Sequence, residues 1–230
     1  MEQACSSATS NTICSMSKLH ISHVAEALEY LRSTRPQVFG ADTHGFRLNP
    51  TLDETIVSAF ERTHHVTLPS DFRAFLTHIG NGGAGPFYGV FPLGEVDDNF
   101  DLRVWREEEV GVLSEPFPFE EEWNDLSAKP PEDLAGRDES AYWKQIEAFE
   151  RTYWRSALVN GAFPICHQGC ALRILLVVTG HQAGYLWNDR RSEYAGLTPI
   201  RLVDGSPARF WDWYEEWLES CLDNANGPRR

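Results

Sequence analysis

The stretch from Leu68 to Leu93, LPSDFRAFLTHIGNGGAGPFYGVFPL, leaves fewer conformations open than any other part of this chain. Phe72, Phe75, Leu76 and Ile79 recur at i, i+3, i+4 and i+7, so one helical face carries four large apolar groups and must be buried. Pro69 suits the first turn of that helix, where its missing N–H is no loss. Gly80, Asn81, Gly82 and Gly83 tolerate positive φ and predict a left-handed cap at the C-terminus. After Pro86, the aromatic and β-branched run Phe87 to Phe91, closed by Pro92 and Gly94, predicts a strand.

The rest of the chain can be arranged around this unit. Ser17 predicts the cap of an earlier helix with Ile21, Val24, Ala25, Leu28 and Leu31 on its inner side. A loop runs on from Ser33. Asn49-Pro50 then reads as the N-cap and first-turn proline of a helix that faces Leu52, Ile56, Val57 and Phe60 inward. Phe100 to Trp105 predicts a strand, the Pro-rich Glu115 to Gly136 a loop, and Tyr142, Ile146, Phe149 and Tyr153 the buried stripe of a helix from Ser140. Leu172 to Thr179, apolar and β-branched, predicts a central strand buried on both faces. Gly180 to Ala183 turns the chain so that Gly184 to Trp187 pairs back, ended by Asn188-Asp189, and Thr198 to Val203 adds an edge strand. Ser206 and Pro207 open a last helix with Phe210, Trp213, Tyr214, Trp217, Leu218 and Cys221 on one stripe. The expected fold is α+β, a single domain with a mixed, mostly antiparallel twisted sheet packed against helices on one side. Residues 17–222 form the domain, 1–16 a disordered arm with Met16 as a second possible start, and 223–230 a flexible C-terminus.

Charge narrows the function. The formal net charge of −14 speaks against unaided binding to nucleic acid or to an anionic membrane, since phosphate contacts need Lys and Arg. The longest apolar run, Ile174 to Val178, is too short to cross a bilayer, and the first residues lack the apolar core of a secretory signal. Five cysteines at irregular spacing suit a reducing cytoplasm better than a disulfide framework. Between Glu95 and Glu150 lie 18 acidic and 5 basic residues, against 16 and 15 elsewhere, so the acidity is local. There Trp105, Phe117, Phe119, Trp123, Tyr142 and Trp143 interleave with Glu107, Glu108, Glu109, Glu120, Glu121 and Glu122. Carboxylates accelerate encounter with a basic protein and buried aromatics hold the complex. The expected partner-binding set is the two glutamate runs with Trp105 and Trp123.

Signals for chemistry are weaker. Cys166, His167, Cys170 and His181 are zinc-type ligands, but their spacing fits no standard finger. A cysteine nucleophile, Cys166 or Cys170 with His167, His181 or His78 as base, meets the objection that neighbours on a strand point to opposite faces. The glycines of 80–85 follow a helix instead of preceding one and no Gly-Lys-Ser/Thr comes after, so they make no phosphate cradle. His64 and His65 read as surface or satisfied core residues. No catalytic residue, metal or cofactor is expected.

Leu68-Pro69, Asp71-Phe72, Phe75-Leu76, Gly80-Asn81-Gly82-Gly83, Gly85-Pro86, Tyr88-Gly89 and Pro92-Leu93 form a pattern when taken in this order. Pro164-Ile165, His167, Gly169-Cys170, Gly184, Trp187 and the set Phe210, Trp213, Tyr214, Trp217, Leu218 extend it. This order resembles the SUKH superfamily, which groups a fungal cell-wall assembly regulator with many bacterial immunity proteins. The resemblance runs from about Leu52 to Leu218, with little match between Glu95 and Ala162 beyond length. It implies an α+β fold and the binding of a partner protein, often a toxin, with no catalytic residues. The expectation is a non-enzymatic cytoplasmic immunity protein that binds and neutralises a polymorphic toxin such as a basic nuclease. The alternative is a regulatory or scaffolding module that binds host proteins.

Overall fold

A computed structural model describes residues 23–98 and 101–227. They form a single α+β domain, as the sequence predicts. Helices α1 (residues 23–34), α2 (Ala41–His44), α3 (Glu54–His64) and α4 (Ser70–His78) come first. A hairpin of β1 (Glu95–Asp98) and β2 (Asp101–Val104) follows, then α5 (Glu107–Val110), α6 (Asp133–Arg137) and α7 (Glu139–Tyr153). The main sheet has β3 (Ala162–Gly169), β4 (Leu172–Val177), β5 (Leu186–Asp189) and β6 (Leu197–Pro199) in sequence order, and α8 (Phe210–Asn226) closes the domain. Every strand pairing described is antiparallel.

β4 lies between β3 and β5, and its side chains alternate between two cores. Ile174 and Leu176 join Phe163 and Ile165 of β3, Phe72, Phe75 and Leu76 of α4, and Phe210, Tyr214 and Leu218 of α8. Leu175 and Val177 join Phe117, Leu158, Ala162, Trp187 and Leu197 on the other face. That face is covered by the 117–123 loop, with α7 packed behind it through Ile146, Phe149 and Tyr153. Phe210 lies edge-on to both Phe72 and Phe75 with centroids 4.9 Å away, a geometry that adds to the ~1.5–3 kcal/mol gained by burying each ring.

The Leu68–Leu93 unit keeps its buried helix but changes the rest. Leu68, Phe72, Phe75 and Leu76 are buried, Ile79 is partly so, and Pro69 stands one residue ahead of the helix as its N-cap. No left-handed cap forms at Gly80 or Asn81: Ile79 caps α4 in the right-handed region, and positive φ first appears at Gly82 (76°) and Gly83 (99°). These glycines serve close backbone approach, since a Cβ on Gly83 would stand 2.5 Å from the Arg47 carbonyl oxygen. Asn81 ties the knot, its Oδ1 accepting from Leu93 N at 2.8 Å and its carbonyl from Asn49 Nδ2 at 3.0 Å. From α8, the Tyr214 hydroxyl donates to the Ala84 carbonyl at 3.0 Å.

The strand expected over Phe87 to Phe91 is absent, because Phe87 (φ 54°) and Gly89 (φ 99°) break the extended path. Only Val90 bridges, to Gly83 and to Cys166, and Phe91 N donates to Ile165 O at 2.8 Å along the outer edge of β3.

Element boundaries also move. Asp53, not Asn49, caps α3 by accepting from Thr55 N at 2.8 Å, and Ile56 points outward while Val57 is buried. On α1 Ala27 is buried in place of Ala25, and the expected Ser17 and Ile21 lie outside the described residues. Asn188 and Asp189 continue β5, and the edge strand stops at Pro199. Ser206 bonds to Asp204 in a turn, leaving Arg209 at the N-cap of α8, where the Asp212 carboxylate accepts from the Arg209 amide. At α3 and α8 a carboxylate takes the capping role expected of an amide or hydroxyl upstream.

Candidate functional site

Two features stand apart from the cores: an acidic ledge on the 117–125 loop and a cavity walled by ion pairs.

The ledge is built by aromatic anchors on either side of three glutamates. Phe117 packs edge-on to buried Trp187 at 4.9 Å, and its amide donates to Thr179 O at 2.9 Å. Phe119 stacks on Trp123 at 5.3 Å, and Trp123 stacks on Tyr153 of α7 at 5.4 Å. Trp123 exchanges two backbone hydrogen bonds with Leu197 of β6. The Tyr153 hydroxyl donates to Asn124 Oδ1 at 2.7 Å and accepts from Gly196 N at 3.0 Å. Between these anchors Glu120, Glu121 and Glu122 are exposed. Asp125 follows, its carboxyl held below the usual range by the Ser127 hydroxyl and amide. A groove of about 330 Å³ opens beside the ledge, lined by Trp123, Asp125, Phe149, Tyr153, Arg155 and Leu158 among others.

The other expected partner-binding residues divide. Trp105 is a correction: it is 8% exposed and packs on Phe163 at 5.3 Å and Phe60 at 5.8 Å, so it is core. Glu109 is a second. Its Oε1 accepts from Arg103 Nη2 at 2.6 Å, and its Oε2 from Arg103 Nη1 and the Arg106 amide, both at 2.8 Å. This bracket of donors, the Arg103 fork above all, pulls its carboxyl down to about 2. Glu107 and Glu108 open α5, and their side chains lie outside those described. Of the residues taken from the resemblance, Trp187 and Trp213 are buried, and Trp217 stacks on Phe46 at 6.3 Å. Tyr88 lies beside His167 and Phe39, each at 5.3 Å.

The cysteine and histidine candidates are dispersed. Cys166 is buried with its thiol directed to Pro86 O at 3.3 Å, and burial pushes its pKa far up, which disqualifies it as a nucleophile. Cys170 is exposed at the tip of the β3–β4 hairpin, where it and Ala171 both adopt positive φ, and His181 is exposed in the next turn. Among the described residues no three His, Cys, Asp or Glu side chains gather as metal ligands would. No helix among them is long and apolar enough to cross a membrane.

The cavity, of about 230 Å³, has no counterpart in the sequence reading. Arg173 of β4 and Asp189 of β5, which pair in register, both line it, and Arg173 pairs on its other side with His167 of β3, which lies behind the wall. Asp97 of the β1–β2 hairpin closes over Arg173 and His167, 2.6 Å from His167 Nδ1 and 2.9 Å from Arg173 Nη2. Arg191, in the turn after β5, holds Asp189 with both Nε (2.8 Å) and Nη2 (2.6 Å), and its guanidinium lies 4.9 Å over the Trp154 ring. Arg103 and Glu109 complete the charged wall. Burial, reinforced by Arg173, lowers the His167 pKa, and this outweighs the pull of Asp97 in the other direction. The sequence signals were an arginine at the head of an apolar strand and a carboxylate two residues before an arginine at the end of the next. Neither is unusual until the register aligns them.

The chain matches no protein-family model, no curated protein and no solved structure.

Proposed function

We propose that this protein is a non-enzymatic binding module whose acidic ledge docks an electropositive protein, and that its role is to neutralise a toxin domain such as a basic nuclease by occlusion. The ledge carries this reading. Glu120, Glu121 and Glu122 are exposed on a loop fixed at both ends by Phe117 and Trp123, so a basic partner meets charges that are already in place. A solvating tail would not anchor its acids in this way. The adjoining groove, floored by Trp123, Phe149 and Tyr153, gives the apolar contact that holds a complex once charge has steered it together. A nuclease exposes a cationic surface to reach phosphates, and an acidic ledge seated there excludes the substrate without any turnover.

The test is co-expression with toxin domains encoded beside the gene, followed by purification of the complex. Rescue of growth together with a stable complex is the expected result. A complex with a host protein and no rescue by any neighbouring toxin would replace this reading with a regulatory one.

A further inference from the structure

We infer that the hollow beside the end of α1 binds a free nucleoside monophosphate, with its phosphate among arginines and its base on an exposed phenylalanine. The hollow, of about 780 Å³, opens between the end of α1 and α2, and Arg32, Arg35, Arg47 and Phe39 all line it. Its volume is that of a small-molecule cleft, and the four side chains are exposed, so a ligand can reach them.

The charge of this hollow runs against that of the chain. Residues 32–47 hold three arginines and one carboxylate, Asp42, in a protein with a net charge of −14. Arg32 pairs with Glu29. Arg35 and Arg47, among the described residues, pair with no carboxylate. Like charges around one concavity repel each other and focus the potential that draws in an anion. Two guanidinium groups match a phosphate monoester, which carries a charge of about −1.5 to −2 at neutral pH, and their forks suit its oxygens.

The aromatic ring narrows the class further. Phe39 is 64% exposed, yet its ring is fixed by T-shaped contacts with Tyr88 at 5.3 Å and Phe87 at 6.5 Å. One exposed phenylalanine is ordinary on its own. Beside unmatched arginines it completes the pattern of a phosphate site with a stacking platform, which accepts the flat face of any base. The floor is set before a ligand arrives. Phe46 is 5% exposed and stacks on Trp217, and Gly40 (φ 75°) lies so close to the Phe87 carbonyl that a Cβ there would collide with it. Binding therefore orders little of the protein. Asp42, also on the lining, offers an acceptor to ribose hydroxyls and repels any phosphate beyond the first. The acidity of the rest of the chain opposes a longer polyanion, which favours a free nucleotide over a nucleic-acid strand.

Isothermal titration of the full chain tests this with adenosine monophosphate, adenosine, inorganic phosphate and a 5′-phosphorylated oligonucleotide as probes. The monophosphate is expected to saturate the protein below millimolar concentration, more weakly as salt rises, with adenosine and phosphate each at least tenfold weaker because each lacks one of the two contacts. Arg47→Gln and Phe39→Ala change exposed side chains and should each weaken the monophosphate about tenfold. Should a variant fail to fold, the wild-type protein decides: the monophosphate should shift the Phe39 ring protons at a concentration where adenosine does not. The assignment is overturned if the monophosphate does not saturate at millimolar concentration, if phosphate alone binds as tightly, if the oligonucleotide binds more tightly, or if folded variants bind as well as wild type.

Discussion

Trp123 N donates to Leu197 O at 2.9 Å, and Leu197 N returns the bond to Trp123 O at 2.8 Å. This reciprocal pair lets a loop residue act as one rung of a fifth strand beyond β6, and it holds the acidic ledge at a fixed height above the sheet edge.

Loss of the Trp123 ring should loosen the ledge more than the domain. Trp123→Ala removes stacking on Phe119 and Tyr153 from a side chain that is only partly buried, so we expect about 2 kcal/mol of destabilisation, below the ~3–5 typical of a fully buried ring. Urea unfolding measures it. A change under about 0.5 kcal/mol would mean that the ledge is not held by these contacts.

Reversal of the ledge charges should separate binding from stability. Glu120, Glu121 and Glu122 are exposed on the surface of the loop, so the triple change to Lys should leave stability within about 1 kcal/mol. Association with an electropositive partner should slow about tenfold at low salt, with a flatter dependence on ionic strength. Stopped-flow mixing at several salt concentrations reads both quantities, and an unaltered rate would clear the ledge of any steering role.

Glycine substitution can distinguish crowding from backbone strain. Gly45 (φ 54°) has open space where a Cβ would go, so Gly45→Ala should cost about 1 kcal/mol from conformation alone. Gly83→Ala meets the Arg47 carbonyl as well and should cost about 3 kcal/mol. Equal values in denaturant titrations would show that the chain around residues 47–49 can give way.

Acid should destabilise the fold in two steps. His44 accepts from Phe46 N at 3.0 Å through Nδ1, and burial lowers its pKa from 6.5 to about 4. A depressed histidine pKa favours the neutral folded form, so its contribution is complete above 6.5 and is lost as pH falls from 6.5 towards 4, by about 2 kcal/mol after allowance for its partial exposure. Glu109 acts lower. Its contribution is complete above its ordinary 4.5 and is lost as pH falls through about 2. Stability measured against pH for wild type and His44→Gln should differ in slope between pH 6.5 and 4 and nowhere above.

Periodicity found most of what depends on neighbours close in sequence. The stripes of α4, α7 and α8 were legible because i, i+3, i+4 spacing is itself the geometry of a buried helical face. Leu172 to Thr179 was legible as a central strand because a run apolar at consecutive positions has no face left for water. The misplaced features share a cause. Phe87 to Phe91 has strand composition, yet its path is set by Gly83 and Ile165, which are distant in sequence. Trp105 was indistinguishable from Trp123 beside a run of glutamates, and only the position of the β1–β2 hairpin sends one inward and leaves the other at the surface. The cavity was illegible for the same reason: Arg173 and Asp189 meet through strand register and Asp97 reaches Arg173 from a separate hairpin, and neither is written in any one segment.

β4 belongs to both cores at once, Ile174 and Leu176 to one and Leu175 and Val177 to the other. Neither core can melt while the other keeps its share of that strand. Amide exchange along Ile174 to Val177 therefore reports opening of the whole domain, and the two faces of the sheet unfold as one cooperative unit.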